Sequence, residues 1–399
     1  MKRYIVLLVC LLVFLETVFI FRVSADEILE DEPFIAVFSA NSTEDASIPK
    51  IGAGSAIVMD TKSGRVLFEK NAYSRRPMAS TTKIMTAIVA LENGNLDDII
   101  VVSKRAAAIG GSTINLKTGQ EIRLRELLYG LMLNSGNDAA IAIAEHIGGT
   151  VENFVRMMNE KAIEIGVMDT SFKSPHGLDV DGHYSTAYDL AVITGYALKN
   201  PVFAEIVKTK HANIGYTNLS NTNEMLSIYP GADGVKTGYT GKAGRCLVTS
   251  ATRDGWQIIS VVLGCPTRYI RAQSSMAILD YAFENFKPHV LIEKGEKIKT
   301  LKVIKGVESY VDVLTIDEIV FPLKEDEKDK VQMYLELPEK LDAPIYANVE
   351  VGNIYCYLDG ELIGYTGLKT DASIRRKVFR DYLGMIFEKW IRLIHEGIF

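Results

Sequence analysis

Three hydroxyl side chains and a lysine stand together in the segment MASTTKIMTA, residues 78–87, directly before a run of apolar residues. Ser80 and Lys83 are three positions apart, so on a helix both side chains share one face, and Ser80 falls in the first turn, where backbone N–H groups are free. A lysine in a partly desolvated pocket loses proton affinity and can take the proton of a serine hydroxyl. The pair therefore predicts a serine nucleophile with a lysine base.

Two further polar triplets could complete such a site. Ser135-Gly136-Asn137, in LMLNSGNDAAIAIA, is a polar step between two apolar helical stretches, although a capping turn at a helix junction would also explain it. Lys236-Thr237-Gly238, in GADGVKTGYTGKAGRCLV, lies on a predicted strand. There a lysine and a threonine can hold an anionic group, and the glycine lets a substrate backbone approach the strand closely.

Each of these motifs is short enough to occur by chance, and two of them do recur. Ser47-Ile48-Pro49-Lys50 repeats the serine–lysine spacing, but its proline opposes the helix that would align the two side chains. Lys117-Thr118-Gly119 repeats the third motif in INLKTGQEIRL, where a turn into a helix is sufficient explanation. The evidence therefore lies in three motifs in a fixed order, each on the element that its chemistry needs.

The elements that position these residues follow from the spacing of the apolar residues. The segment SAIVMDTKSGRVLFEKN predicts two strands joined by a turn over residues 60–64. Three-and-four spacing predicts helices over 80–92, 124–148, 151–165 and 187–199; strands then follow over 233–264 and a helix over about 270–283. This order predicts an α/β domain over residues 51–287, with an antiparallel sheet flanked by helices.

The segments outside this domain have different compositions. Residues 288–370 alternate in short stretches and predict a small all-β sandwich domain, whereas residues 371–399 repeat apolar and basic residues as an amphipathic helix does. That helix is expected to lie on an anionic membrane surface, the alternative being a helix packed on the protein's own surface. Residues 1–25 predict a secretory signal peptide, or else an uncleaved anchor, and residues 26–50 a mobile spacer.

Charge and cysteine content exclude two classes of function. The formal net charge is −6, and loss of Lys2, Arg3, Glu16 and Arg22 with the signal would remove a net +2 and leave −8. Such a balance gives no support to nucleic-acid binding. The expected mature chain keeps three cysteines without a Cys-x-x-Cys pair, so a disulfide framework or a thiolate metal site is not expected.

The three motifs together resemble those of the penicillin-recognising serine enzymes, which include β-lactamases and penicillin-binding proteins. The surroundings narrow the resemblance, because SPHGLDVDGHYSTAYDLA, LNSGND and GVKTGYTGKAGRCLV look like the low-molecular-mass D-alanyl-D-alanine carboxypeptidases of peptidase family S11. The order of signal peptide, catalytic domain, β-domain and amphipathic tail is similar to theirs as well. The resemblance implies a β-lactamase/transpeptidase-like catalytic fold, acylation by β-lactam antibiotics and a role in cell-wall biogenesis.

By this resemblance, the reaction is a two-step acyl transfer on the stem peptide of peptidoglycan. Ser80 attacks the carbonyl of the penultimate D-alanine, Lys83 acts as the base, and Ser135 relays a proton toward the leaving D-alanine. Asn137 orients Lys83 and the substrate amide. The resemblance implies no metal and no organic cofactor.

The same resemblance places the substrate-binding groups on the third motif and beyond it. Lys236 and Thr237 engage the terminal carboxylate, Gly238 lets the substrate approach, and the backbone N–H groups of the nucleophile and of Tyr239 meet the developing oxyanion. The family often has a histidine where this chain has Tyr239. Arg271, in CPTRYIRAQSS, matches a family arginine near the carboxylate pocket only loosely, and a surface salt bridge would explain it nearly as well.

Three other functions compete with this interpretation. A β-lactamase needs a route for water to reach the acyl-enzyme, usually a glutamate in a Glu-x-x-Leu-Asn loop, and no such string occurs between Asn137 and Lys236. A zinc peptidase would need a third ligand beside His176 and His183, which are expected to be structural. A sensor would be acylated without turnover. The expectation is a peripheral enzyme on the outer face of the bacterial cytoplasmic membrane.

Overall fold

The computed structural model describes residues 48–395, and these divide into two units, residues 48–283 and residues 284–395. The predicted signal peptide, residues 1–25, and nearly all of the predicted spacer lie outside the described residues. The division falls after Phe283, four positions before the boundary expected after residue 287. The predicted domain limits otherwise remain predictions.

The first unit is built on one antiparallel sheet. Its described strands are β1 (Ser55–Asp60), β2 (Val66–Lys70), β3 (Ile99–Val101), β4 (Glu121–Arg123), β5 (His211–Asn213), β6 (Asn218–Ser220), β7 (Ala232–Thr240), β8 (Gly244–Arg253) and β9 (Trp256–Cys265). Five of them pair in the order β2-β1-β9-β8-β7, and β3/β4 and β5/β6 form two separate hairpins. Strand β7, which carries the third motif, is therefore at one edge of the sheet.

The helices of the first unit include the predicted ones, with two differences, and three short helices that were not predicted. They are α1 (Lys83–Asn93), α2 (Lys104–Ala107), α3 (Leu124–Leu133), α4 (Asn137–Gly148), α5 (Val151–Ile165), α6 (Ala187–Leu198), α7 (Pro201–Lys208), α8 (Met225–Ile228) and α9 (Arg268–Asn285). The helix predicted from residue 80 begins at Lys83, because residues 79–82 form a 3₁₀ turn. The pattern over residues 124–148 is two helices, because Ser135 has a positive φ of 60° and interrupts it.

The core of the first unit surrounds α1, which is buried along most of its length. Helices α3, α4, α5 and α6 pack around it, and α6 also lies against strands β1 and β9 of the sheet. Burial of such apolar surface contributes about 25 cal/mol per Å². The 3₁₀ turn over residues 79–82, which leads into α1, lies against the edge strand β7.

The described cysteines are buried free thiols. Burial raises the pKa of Cys246 to about 11 and that of Cys265 to about 12. It also raises the pKa of Cys356. A neutral, buried thiol is a poor nucleophile, so these side chains act as core residues.

The second unit is β-rich, as expected from its alternating sequence. Its described strands are β10 (Lys287–Ile292), β11 (Lys297–Ile304), β12 (Tyr310–Thr315), β13 (Ile319–Leu323), β14 (Val331–Glu336), β15 (Lys340–Asp342), β16 (Glu350–Leu358) and β17 (Glu361–Thr370). Six form a sheet in the order β14-β16-β17-β12-β11-β15, and β10 pairs with β13.

The amphipathic helix is shorter than the predicted range 371–399. Within the described residues α10 spans Phe379–His395 and has no buried side chain. The residues before it belong to the β-rich unit, because Ile374 is buried there and forms a β-bridge with Ile345. Among residues 48–395, no single helix is both long and apolar enough to cross a membrane. Helices α6 and α7 together have the length and the composition of a span, but the chain bends sharply between them.

Candidate active site

Ser80 lies in the 3₁₀ turn Ala79–Thr82 that leads directly into α1. Ala79 has a φ of +49°, a left-handed conformation that is costly for a residue with a side chain. Thr82 supports this turn by donating its hydroxyl hydrogen to the Ala79 carbonyl oxygen at 2.8 Å. The turn presents the half-buried Ser80 hydroxyl to Lys83 on the next turn of the chain.

Lys83 is completely buried, and its ammonium nitrogen lies among four oxygen atoms. The Nζ atom is 2.8 Å from Ser80 Oγ, 3.3 Å from Ser135 Oγ, 2.6 Å from Asn137 Oδ1 and 3.0 Å from the His176 carbonyl oxygen. An ammonium has three N–H donors, so it cannot satisfy four acceptors at once, whereas a neutral amine can accept from a hydroxyl. The geometry places Lys83 within direct proton-transfer distance of Ser80.

The second motif occupies the break between α3 and α4. Ser135 adopts a left-handed φ of +60°, and α4 begins two residues later at Asn137. The Asn137 amide is fixed from both ends, because Oδ1 accepts from Lys83 and Nδ2 donates to the Gly110 carbonyl oxygen at 2.8 Å. The break thus turns one hydroxyl and one amide toward the same lysine.

The third motif lies on β7 beside the nucleophile turn. Lys236 is 1% exposed and donates to the Thr237 carbonyl oxygen at 3.0 Å. Gly238 allows the strand to approach the turn, since a Cβ at this position would lie 3.0 Å from the Ser80 nitrogen and 3.1 Å from Ala79 Cβ. A side chain here would press on the nucleophile turn, which would have to shift by a few tenths of an ångström.

The three motifs meet at a polar cavity of about 180 Å³. Lys83, Asn137 and Lys236 are buried close behind its hydroxyl groups. The cavity is lined by Ser80, Ser112, Ser135, Thr222, Thr237, Gly238 and Tyr239. Eight of the nine residues singled out in the sequence therefore lie at the cavity or contact a residue that lines it.

Arg271 is the ninth, and the structure places it apart from the cavity lining. Its Nη2 atom lies 2.7 Å from both carboxylate oxygens of Glu224, and the two side chains are 2% and 5% exposed. Arg271 therefore forms an ion pair, as the salt-bridge alternative predicted, but the pair is buried and not on the surface. Tyr239 contacts a different arginine, with the Arg245 guanidinium 4.4 Å from the ring centroid.

His176 and His183, in the loop after α5, contact the nucleophile turn and Lys83. His183 Nδ1 accepts from the Lys173 N–H at 2.9 Å, so Nε2 carries the hydrogen that bonds Thr82 Oγ1 at 2.8 Å. His176 Nδ1 likewise accepts from the Leu178 N–H. Burial lowers the pKa of His183 to about 4 and, with the nearby Lys83 charge, that of His176 to about 3. Both rings are therefore neutral supports, and the residues described include no group of three metal ligands.

Sequence reasoning missed three residues that build the cavity. Asp138 accepts from the backbone N–H groups of Ile114 and Leu116 at 3.0–3.1 Å and so holds the loop that carries Ser112. The aspartate directly after the second motif was the available signal for this contact. Nothing in the sequence marked Ser112 or Thr222, because each reaches the cavity from a loop without a distinctive pattern.

Comparison with known proteins agrees with this geometry. Residues 41–267 match the profile of the D-alanyl-D-alanine carboxypeptidase family, peptidase S11, and residues 286–376 match the C-terminal domain of penicillin-binding protein 5. The first match covers more than half of the chain. The protein belongs to the S11 D-alanyl-D-alanine carboxypeptidase family. The resemblance drawn from its motifs is thereby confirmed, together with the fold class and the carboxypeptidase activity that the family implies.

Individual relatives extend over nearly the whole chain. It is similar to the D-alanyl-D-alanine carboxypeptidase DacF of Bacillus subtilis, with 35% identity over 85% of this chain and 90% of that one. The crystal structure of penicillin-binding protein 5 from Haemophilus influenzae superposes with a TM-score of 0.72 and 30% identity, covering 82% and 99% of the two chains. A mutant of the Streptomyces K15 DD-transpeptidase is 38% identical over 59% of this chain and 99% of its own, with a TM-score of 0.57.

Proposed function

We propose that this S11 enzyme removes the terminal D-alanine from peptidoglycan stem peptides through an acyl-enzyme on Ser80. Ser80 Oγ attacks the carbonyl carbon of the penultimate D-alanine while its proton passes to Lys83 Nζ, 2.8 Å away. Ser135, 3.3 Å from the same nitrogen, relays that proton to the amine of the departing D-alanine. Water then cleaves the ester and restores the Ser80 hydroxyl.

The oxyanion and the terminal carboxylate of the substrate are bound by groups on the nucleophile turn and on the edge strand β7. The backbone N–H groups of Ser80 and Tyr239 meet the negative charge that develops on the carbonyl oxygen. Lys236 and Thr237 engage the terminal carboxylate, and Asn137 orients the lysine base. β-Lactams are expected to acylate the same serine, because they present a reactive amide and a carboxylate to the same groups.

The observation that carries this proposal is the completely buried Lys83, which lies within hydrogen-bond distance of two serine hydroxyls from different segments. Its test is release of D-alanine from a soluble peptide ending in Lys-D-Ala-D-Ala by the purified protein. The parent is expected to release D-alanine and the Ser80→Ala variant to release none. A folded parent that forms a stable penicillin adduct without releasing D-alanine would favour a sensor over an enzyme.

We further propose that the protein is exported and that α10 attaches it to the outer surface of the cytoplasmic membrane. The supporting observations are large apolar side chains left exposed on one helix, with Phe379 at 76%, Phe387 at 68% and Trp390 at 63%. Basic residues accompany them at Arg375, Arg376, Lys377, Arg380, Lys389 and Arg392. An amphipathic helix of this kind binds anionic lipid surfaces in the plane of the interface.

Truncation after Val378 tests the membrane proposal, since it removes α10 and keeps the buried Ile374 in the second unit. The truncated protein should no longer sediment with vesicles containing anionic lipid, whereas its activity on a soluble peptide should be unchanged. Sedimentation equal to that of the full chain would contradict the proposal. The milder change Trp390→Ala should weaken sedimentation without abolishing it.

A further inference from the structure

Thr222 brings a second threonine hydroxyl to the part of the cavity formed by the third motif. It lines the cavity together with Thr237, and the two hydroxyl oxygens are 2.7 Å apart, in hydrogen-bond contact. Fifteen positions separate the two residues, and Thr222 follows strand β6, whereas Thr237 lies on β7. No motif in the sequence singles out this threonine.

Thr222 is held rigidly between two asparagines whose amides bond to the surrounding backbone. Asn223 donates from Nδ2 to the Gly234 carbonyl oxygen of β7 at 2.7 Å, and Asn221 donates to two carbonyl oxygens at the end of α7. The Thr222 N–H donates to the Leu133 carbonyl oxygen at the end of α3 at 3.1 Å. Because α3, α7 and β7 all fix this tripeptide, its middle side chain is presented to the cavity in a set position.

The pair of hydroxyls suits an anionic ligand with two oxygens. Each hydroxyl carries one hydrogen and rotates freely, so the hydrogen bond between Thr222 and Thr237 can be exchanged for two parallel bonds to one ligand. Lys236 is buried on the adjacent position of β7 and supplies a positive charge. Hydrogen bonds to a carboxylate are stronger than the neutral bond that they replace.

Arg271 is not among the residues that line the cavity. Both oxygens of Glu224 contact one of its nitrogens at 2.7 Å, and the pair is buried outside the residues that line the cavity. Nη2 alone holds Glu224, whereas Nε and Nη1 are buried without a hydrogen-bond partner among the described residues. Thr222 and Thr237 line the cavity and Arg271 does not, so the two hydroxyls are the groups that an anion in the cavity would contact directly.

We infer that Thr222 binds the terminal carboxylate of the substrate, with Thr222 and Thr237 each donating a hydrogen bond to one of its oxygens. This inference rests on the proposed D-alanine release. It assigns to Thr222 the recognition of a free chain end, so the residue determines specificity for substrates that end in a carboxylate.

The test compares Thr222→Val, Thr222→Ser and the parent on two peptides, one ending in D-Ala-D-Ala and the other in D-Ala-D-alaninamide. Valine keeps the shape of threonine and removes the hydroxyl. We expect Thr222→Val to lower kcat/KM for the acid by roughly 10- to 100-fold, the range for one hydrogen bond to a charged group. The fall for the amide should be several-fold smaller, and Thr222→Ser should restore most of the loss on the acid.

Thr240→Val is the matched control, because Thr240 lies on the same strand β7 but donates to Asp179, outside the cavity lining. It should match the parent on both peptides. If the amide is cleaved too slowly to time, its inhibition constant against acid hydrolysis gives the same comparison. Melting temperature and the yield of penicillin adduct at saturation show whether each variant is folded.

Two results would overturn the inference. One is unchanged kcat/KM of Thr222→Val on the acid; the other is an equal fall on acid and amide, which would indicate a general structural role. Failure of the parent itself to release D-alanine would instead overturn the proposed function. The two failures are therefore distinguishable in one experiment.

Discussion

The chain contains the letters Lys-Thr-Gly twice, at residues 117–119 and 236–238, and the two copies lie in different environments. The first is exposed in a turn, where the Gln120 N–H donates to the Lys117 carbonyl oxygen. The second is buried on β7, with Lys236 at 1% and Thr237 at 6% exposure. The same three residue types therefore form a solvated turn in one place and a buried strand segment beside a polar cavity in the other.

The glycines show most directly what separates the two copies. Gly119 has a φ of +79° and open space around the position of a Cβ, so glycine is there for its backbone conformation. A Cβ on Gly238 would instead meet the nucleophile turn at 3.0 Å. A triplet becomes part of a site through the neighbours that strand pairing and helix packing bring to it, and these neighbours are distant in sequence.

The largest contrast is expected between the two lysines. We expect Lys236→Ala to lower kcat/KM for a D-Ala-D-Ala peptide by roughly 100-fold, at the upper end of what one hydrogen bond to a charged group contributes. Lys117→Ala should leave kcat/KM within about twofold of the parent, because Lys117 is exposed and is not among the residues that line the cavity. Steady-state kinetics on both variants measures the contrast, and equal losses would show that both copies act in the site.

A smaller contrast is expected between the two glycines. Gly238→Ala should push the nucleophile turn by a few tenths of an ångström and lower kcat/KM by roughly tenfold, since catalysis is sensitive to such displacements. Gly119→Ala should keep full activity and lower the free energy of unfolding by about 1 kcal/mol, because alanine is strained at a positive φ. Kinetics and thermal melting of both variants separate the two effects. An active Gly238→Ala enzyme would show that the turn can yield.

The parts of the fold that could be predicted are those specified by neighbouring residues. The predicted helix over residues 151–165 is the observed α5, since Thr150 caps its N-terminus and Gly166 ends it with a left-handed φ of +90°. The break at Ser135 could not be placed as readily, because the apolar pattern continues on both sides of it. A left-handed serine is held there by contacts with other segments, which no local pattern reports.

The same distinction applies to the site. Ser80 and Lys83 could be paired from the sequence because they are three residues apart, and the 3₁₀ turn that leads into α1 keeps their side chains together. The pairing of Arg271 with Glu224 crosses 47 positions, and charge alone did not indicate which partner Arg271 would find. Thr222 was missed for the same reason, because its role arises where a loop after β6 meets β7.

Histidines give a further contrast between buried and exposed copies of one residue type. His176 and His183 are buried and already accept a backbone N–H at Nδ1, so protonation would have to break that bond. Burial lowers their pKa to about 3 and about 4, below the value of about 6.5 for an unfolded chain. His211, on the β5/β6 hairpin, is exposed beside Ser220.

The smallest predicted effect follows from this contrast. Below about pH 6.5 the unfolded chain binds protons that the folded protein excludes, so stability is complete above that pH and declines as the pH falls toward 4. Protonation of these two histidines in the unfolded chain should lower the free energy of unfolding by roughly 1 kcal/mol between pH 7 and pH 6. Chemical denaturation at both pH values measures this loss. His183→Gln should remove about half of this loss. An unaltered pH dependence in His183→Gln would show that this ring can hold a proton in the folded protein.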